Sequence, residues 1–221
     1  MVRAMVPRPL QHTAVRRERN PRGEGGRLRD ELIEAASELM ARHGSSEAAT
    51  IRAVARQAGV SAPSVYLHFA DREALVHAVV ERRFRDLIAT IAAASAEAGP
   101  QAAPDARLRA GCRGYVRYGL EHPGHYRVLF DTSKGPFAGA AGQAGADAFG
   151  TLVEGIAECQ AAGLARAGDP RARATAMWSA MHGLVMLRIV MTTFGWGPPE
   201  PLLDDMLVGL VGIPPAPPAG G

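Results

Sequence analysis

Along the central part of this chain apolar residues recur at intervals of three and four, the period of an α-helix that buries one face. In RLRDELIEAASELMARHG, Leu32, Ala35, Ala36, Leu39 and Met40 share such a face, and Gly44 supplies the stop. Thr50, a good N-cap residue, opens a short second helix with Ile51, Val54, Ala55 and Ala58 on one side, and Gly59 ends it. Ser61 is placed to cap a third helix running to about Phe69, with Pro63 in the first turn, where its missing N–H costs nothing. Asp71 caps a long fourth helix that carries Leu75, Val79, Phe84, Leu87, Ile88 and Ile91 inward. After the break AGPQAAPD the pattern predicts helices over about 105–121, 123–131, 143–163, 170–194 and 199–211. No stretch alternates as a strand and no repeat is visible, so the expected class is all-α.

This pattern divides the chain into a disordered basic arm (1–26), a helix-turn-helix unit (27–73), a connecting helix (74–98), a second helical domain (105–213) and a disordered tail (214–221). Of the 221 residues 47% are hydrophobic, enough for a real core. No apolar run reaches the roughly 20 residues of a membrane span, and the arginine-bearing N-terminus has no apolar signal core. A cytoplasmic protein, in the bacterial nucleoid, with no membrane partner is expected. Cys112 and Cys159 stand apart, without metal-ligand or disulfide spacing, and read as small core residues. The net charge of +3 is small, but arginines outnumber acids in the first thirty residues. That arm either reaches into a DNA minor groove or is loose.

SAPSVYLHF, residues 61–69, crowds three rings into four positions of a chain that is only 5% aromatic. Helical register divides them. Val65 and Phe69, four apart, share a face and pack inward, while Ala62, Ser64, Tyr66 and His68 occupy the remaining arc. Two short helices joined through a glycine turn make a helix-turn-helix, whose second helix enters the DNA major groove. Small residues at its N-terminus let it sit deep, and Tyr66 and His68 suit phosphate contacts. Thr50 reads either as a plain cap or as a cap that also faces a phosphate. Arg52 and Arg56 read either as base contacts or as solvated surface.

TIRAVARQAGVSAPSVYLHFADREALVHAVV resembles the DNA-binding segment of the tetracycline-repressor (TetR) family. The shared pattern is a Thr-capped helix, A-x-x-A-G-V-S, a short helix ending Tyr-x-x-Phe, and a basic-Glu-x-Leu start to the fourth helix. It extends over residues 28–88. The resemblance implies phosphate contacts from Thr50, Tyr66, His68 and Arg72, and base-edge contacts from Ser61, Ala62, Pro63 and Ser64. Arg72 stands where lysine is commoner, which keeps the charge, and Pro63 stands where a small flexible residue is common.

The second half, with LEHPGHYRVLF and later WSAMHGLVMLRI, resembles TetR-family regulators that bear a Trp-x-x-x-His-Gly signature. The likeness runs to about residue 211 and implies a ligand-binding and dimerisation domain. Trp178 and His182 are adjacent on one apolar helix; His182 reads either as a satisfied core histidine or as a polar group facing an effector. His122 and His125 have no evident third ligand, so no metal is expected. Tyr118, Tyr126, Phe130, Met181 and Met186 join Trp178 and His182 as candidate lining of an effector pocket. Few ionisable residues interrupt these helices, which favours an apolar or weakly polar effector. Leu202, Leu203, Met206, Leu207 and Leu210 exceed what one small bundle would hide, so a homodimer is expected.

Taken together, these features predict a regulator, most simply a repressor, that binds a palindromic double-stranded DNA operator and is released by a small molecule. The alternative is an effector-independent regulator or an activator whose second domain only dimerises. There is no catalytic constellation or phosphate-binding loop at convincing spacing, so neither an enzyme nor a cofactor is expected.

Overall fold

The computed structural model describes residues 25–130 and 139–215. Most of the expected basic arm and the end of the tail lie outside these residues. Among the described residues nine α-helices occur: α1 (Gly25–His43), α2 (Ile51–Gln57), α3 (Ala62–Tyr66), α4 (Arg72–Glu97), α5 (Pro104–Glu121), α6 (Pro123–Leu129), α7 (Gly139–Ala161), α8 (Pro170–Val190) and α9 (Pro199–Met206). A 3₁₀ turn (Ser46–Ala48) precedes α2, and a π-helical turn (Leu207–Val211) continues α9. The described residues include no strand.

Local chemistry sets the ends of the first elements. The Thr50 hydroxyl accepts from the Ala53 N–H at 3.2 Å and caps α2, and the Asp71 carboxylate accepts from the Ala74 N–H at 2.7 Å and caps α4. Gly59, at φ +67°, closes α2. Its N–H reaches the Arg56 carbonyl at 3.2 Å, and the Val60 N–H reaches the Ala55 carbonyl at 2.9 Å. This paired closure needs a left-handed residue, which glycine supplies without a Cβ clash. Ser61 occupies the N-cap position of α3, but its side chain caps no backbone N–H. Its hydroxyl lies 2.7 Å from that of Ser64 instead.

α1, α2, α3 and the start of α4 close on a small core of Leu32, Ala36, Met40, Val54, Val65, Phe69 and Leu75, all buried. The Arg29 guanidinium covers the Phe69 ring, 5.1 Å from its centroid. α4 then carries on into the second core. α5 runs back antiparallel along it: a Cβ on Gly114 would stand 2.8 Å from the Ala94 Cβ and 3.1 Å from the Thr90 carbonyl oxygen. The missing side chain therefore sets how closely these helices approach. The Tyr118 hydroxyl donates to the Arg83 carbonyl at 3.3 Å, and the Arg83 guanidinium pairs with Glu34 on α1 and Asp86 on α4. The helix expected to connect two domains is thus a wall of both.

The second core, within α4–α9, includes Cys112, Tyr126, Leu129, Ile156, Cys159, Met177, Val185, Leu203 and Leu207. Both cysteines are free thiols; burial pushes Cys112 up to about 12, so it is protonated at neutral pH. The buried Arg109 guanidinium on α5 donates to Asp204 on α9 at 2.6 Å and to the Pro214 carbonyl at 2.8 Å, tying the segment after the π-helical turn to the bundle.

The apolar surplus of the last helix is redistributed relative to expectation. Leu203 and Leu207 are buried against the chain's own bundle, whereas Leu202 is exposed, because residues four apart share the inner stripe and the neighbour falls off it. Leu187, Val190, Met191, Phe194 and Val208 are also exposed large apolar residues.

Candidate nucleic-acid interface and effector cavity

The tri-helical unit turns one face of α3 and the start of α2 outward. Thr50, Arg52, Arg56, Ser61, Pro63 and Tyr66 are exposed, and Ala62, Ser64 and His68 are half-buried. On the opposite face Val65 is fully buried and Phe69 is 3% exposed. Inward anchors four apart thus orient the hydroxyls and the Tyr66 ring toward solvent.

Two residues modify the expected set. Arg72 is half-buried, and its guanidinium donates to the Ser46 carbonyl. It braces the 3₁₀ turn that leads to Thr50, so its charge lies beside this surface rather than reaching freely from it. Leu67, missing from the sequence-based set, is 84% exposed. The signal was present: two positions from the buried Val65 corresponds to about 200° of helical rotation, the side facing away from the core.

A cavity of about 340 Å³ opens between α4, α5, α7 and α8, a size suited to a small organic molecule. Phe130, Trp178 and Met181 line it, with Phe84 and Phe149 adding rings. Phe130 and Phe149 lie 6.2 and 5.9 Å from Trp178 between centroids. Tyr115 also lines it. Tyr118, Tyr126, His182 and Met186 are not on its wall. Tyr118 is held by α4, and Tyr126 lies fully buried behind the wall, with its hydroxyl 2.6 Å from that of Tyr115 and 2.8 Å from His182 Nδ1. Trp178 Nε1 donates to the Tyr115 hydroxyl at 3.2 Å. Burial pushes Tyr115 up to about 12 and raises Tyr126 as well. Desolvation lowers His182 below its ordinary value, favouring the neutral ring. At the mouth, Arg107 pairs with Glu158 at 2.9 Å. Among the described residues no group of three or more His, Cys, Asp or Glu is placed to hold a metal.

Comparison with known proteins agrees with this two-part organisation. The family described as bacterial regulatory proteins, TetR family, matches residues 32–79, and the tetracyclin repressor-like C-terminal domain matches residues 108–210. The chain belongs to the TetR family. Both matched segments correspond to the parts just described, the helix-turn-helix surface and the bundle that holds the cavity. Neither match indicates a catalytic family. Among solved structures, a protein of unknown function from Rhodococcus sp. RHA1 is 26% identical with a TM-score of 0.72, covering 86% of this chain and 99% of that one. A TetR-family transcription regulator from Marinobacter aquaeolei VT8 is 21% identical with a TM-score of 0.67, covering 86% and 98%. SmeT, the repressor of the Stenotrophomonas maltophilia multidrug efflux pump SmeDEF, shares the fold at 21% identity and a TM-score of 0.64, covering 83% and 90%. No curated protein matches the sequence. No helix of this TetR-family chain, among the described residues, is long and apolar enough to cross a membrane.

Proposed function

We propose that this TetR-family regulator is a homodimeric cytoplasmic repressor that binds a palindromic operator and is released by a small molecule held in the α4–α8 cavity. The outward polar face of α3 carries the reading, because its orientation follows from the buried Val65 and Phe69 on the other side. Thr50, Tyr66 and His68 contact phosphates, with Arg72 steadying their platform. Ser61, Ala62, Pro63 and Ser64 approach base edges, and Arg52 adds charge beside them. With side chains this small at the groove, specificity comes partly from DNA shape and water.

Two readers must stand about 34 Å or a multiple of it apart, which requires a second copy. The exposed Leu187, Val190 and Leu202 on α8 and α9 support that pairing. α4 runs from the reader to the cavity, and a Cβ on Gly124 of α6 would stand 2.6 Å from the Ala41 carbonyl oxygen on α1. A ligand that favours one arrangement of these packed helices over another shifts DNA affinity by that difference.

DNA upstream of the gene or its neighbour should bind the purified protein, and Tyr66→Ala should weaken binding on every sequence about tenfold, as loss of a phosphate contact does. Undiminished affinity of that variant would overturn the placement of α3. Val190→Glu should shift the protein toward monomer in sedimentation; an intact dimer would overturn the α8–α9 interface.

A further inference from the structure

Among the described residues the cavity wall carries few polar side chains, and the hydroxyl and indole protons of Ser95, Thr151 and Trp178 are already engaged. The Ser95 hydroxyl donates to the Arg107 carbonyl at 3.2 Å, and the Thr151 hydroxyl to the Asp147 carbonyl at 3.2 Å. Trp178 Nε1–H, which can only donate, is directed at the Tyr115 hydroxyl at 3.2 Å. Tyr115 is 2.6 Å from Tyr126, and Tyr126 is 2.8 Å from His182 Nδ1. This chain can run in two directions. Run from Trp178 to His182, every donor in it has an acceptor: Tyr115 O–H donates to Tyr126, and Tyr126 O–H donates to an unprotonated Nδ1. Run backward from a protonated Nδ1, the Tyr115 proton is left without a partner inside the protein. An unpaired buried hydroxyl is costly, so the protein's own groups favour the forward direction. In that state Tyr115 offers the cavity an oxygen lone pair and no proton.

Among the described residues of the lining, Arg107 is turned to Glu158 and to the Ala102 carbonyl, and Glu154 is acidic, so these side chains favour an uncharged ligand over an anion. Trp178 and His182, one helical turn apart, hold the two ends of the tyrosine pair and so set what the cavity presents.

We propose that the cavity selects an uncharged, largely aromatic ligand bearing a hydroxyl or N–H donor, of the phenol class, whose proton is accepted by the Tyr115 oxygen, with Trp178 and His182 as positioning residues. This deepens the reading of the cavity as the effector site and rests on it. A ligand that can only accept must reverse the chain and lose its best-ordered state. A carboxylate meets the Tyr115 lone pair, the acidic Glu154 and an Arg107 already paired with Glu158.

Full-length protein titrated calorimetrically with para-butylphenol, its methyl ether para-butylanisole and para-butylbenzoate tests this, with DNA binding measured on the same preparation. The phenol should bind about tenfold tighter than the ether, the size of one well-made hydrogen bond, and the benzoate weakest. Tyr115→Phe should bring phenol and ether together without weakening the ether. Equal affinities of wild type for phenol and ether, or a preference for benzoate, overturn the proposal whether or not the variant folds. If the protein binds DNA and none of the three probes, the ligand class is overturned while the DNA reading stands. If the phenol binds as expected but DNA is not released, the ligand class is supported and release by this ligand is overturned.

Discussion

The reader and the bundle are held together by different kinds of interaction. In the reader the bonds that set the helix ends join residues a few positions apart: Thr50 to Ala53, Asp71 to Ala74, and the closure around Gly59. In the bundle the polar ties span most of the domain, Arg109 to Asp204 and Tyr126 to His182. Local bonds define where helices start and stop; distant ones define how finished helices stack. A fault of the first kind frays one element, whereas a fault of the second leaves a buried charge or hydroxyl stranded.

Asp204→Ala should therefore be the most damaging change. It removes the carboxylate partner of the buried Arg109 guanidinium and leaves it the Pro214 carbonyl, and loss of about 3 kcal/mol in urea unfolding is expected, the lower end for a broken buried pair because Asp204 is partly exposed. A loss below 1 kcal/mol would break the contrast between the two regions.

Gly124→Ala comes next, at about 2 kcal/mol, since the added methyl meets the Ala41 backbone rather than a side chain that can turn away. If the variant is as stable as wild type, α6 does not bear tightly on α1, and coupling between the halves must run through α4. Thr50→Ala should cost about 1 kcal/mol by loss of the cap, and Thr50→Ser should restore most of it. A larger loss would mean that the reader, too, depends on distant contacts.

The smallest expected effect is on pH dependence. Desolvation lowers His182 below its ordinary value of 6.5, so the unfolded state binds the proton more readily than the folded one. The sign follows: the associated stability is complete above about pH 6.5 and is lost as pH falls toward the folded pKa. Urea midpoints measured between pH 7.5 and about 5 should fall, and His182→Gln should flatten part of that slope. His125, also lowered chiefly by burial, supplies a similar slope that survives the substitution. An identical slope in the variant would remove His182 from this account.

The difference between the regions also explains what could be read in advance. The expected boundaries of α1 to α4 agree with the structure within a few residues, because caps, glycine stops and apolar period are local and visible. Register alone places Val65 and Phe69 inward and Tyr66 outward, where the structure has them. Ser61 sits at the expected N-cap position but engages Ser64 instead of a backbone N–H, and Arg72 folds inward to Ser46. The first turns on which of two local partners the hydroxyl takes, and the second on a residue 26 positions away that the fold brings near. In the bundle, α8 was expected from its pattern and Trp178 and His182 from their spacing, yet the side of the wall that Tyr126 and His182 occupy was not legible. A tyrosine among apolar helices looks the same in sequence whether it faces a cavity or stands behind it.

The sequence by itself determined the all-α class, the helix-turn-helix and the inward and outward faces of α3, since each rests on spacing of one to four residues. The tertiary structure alone decided that α4 serves both cores, that Leu203 and Leu207 are hidden while Leu202 is exposed, and that Trp178, Tyr115, Tyr126 and His182 form one chain of hydrogen bonds. These outcomes join residues more than ten positions apart, where no local period carries information and only the packing of completed helices chooses which groups meet.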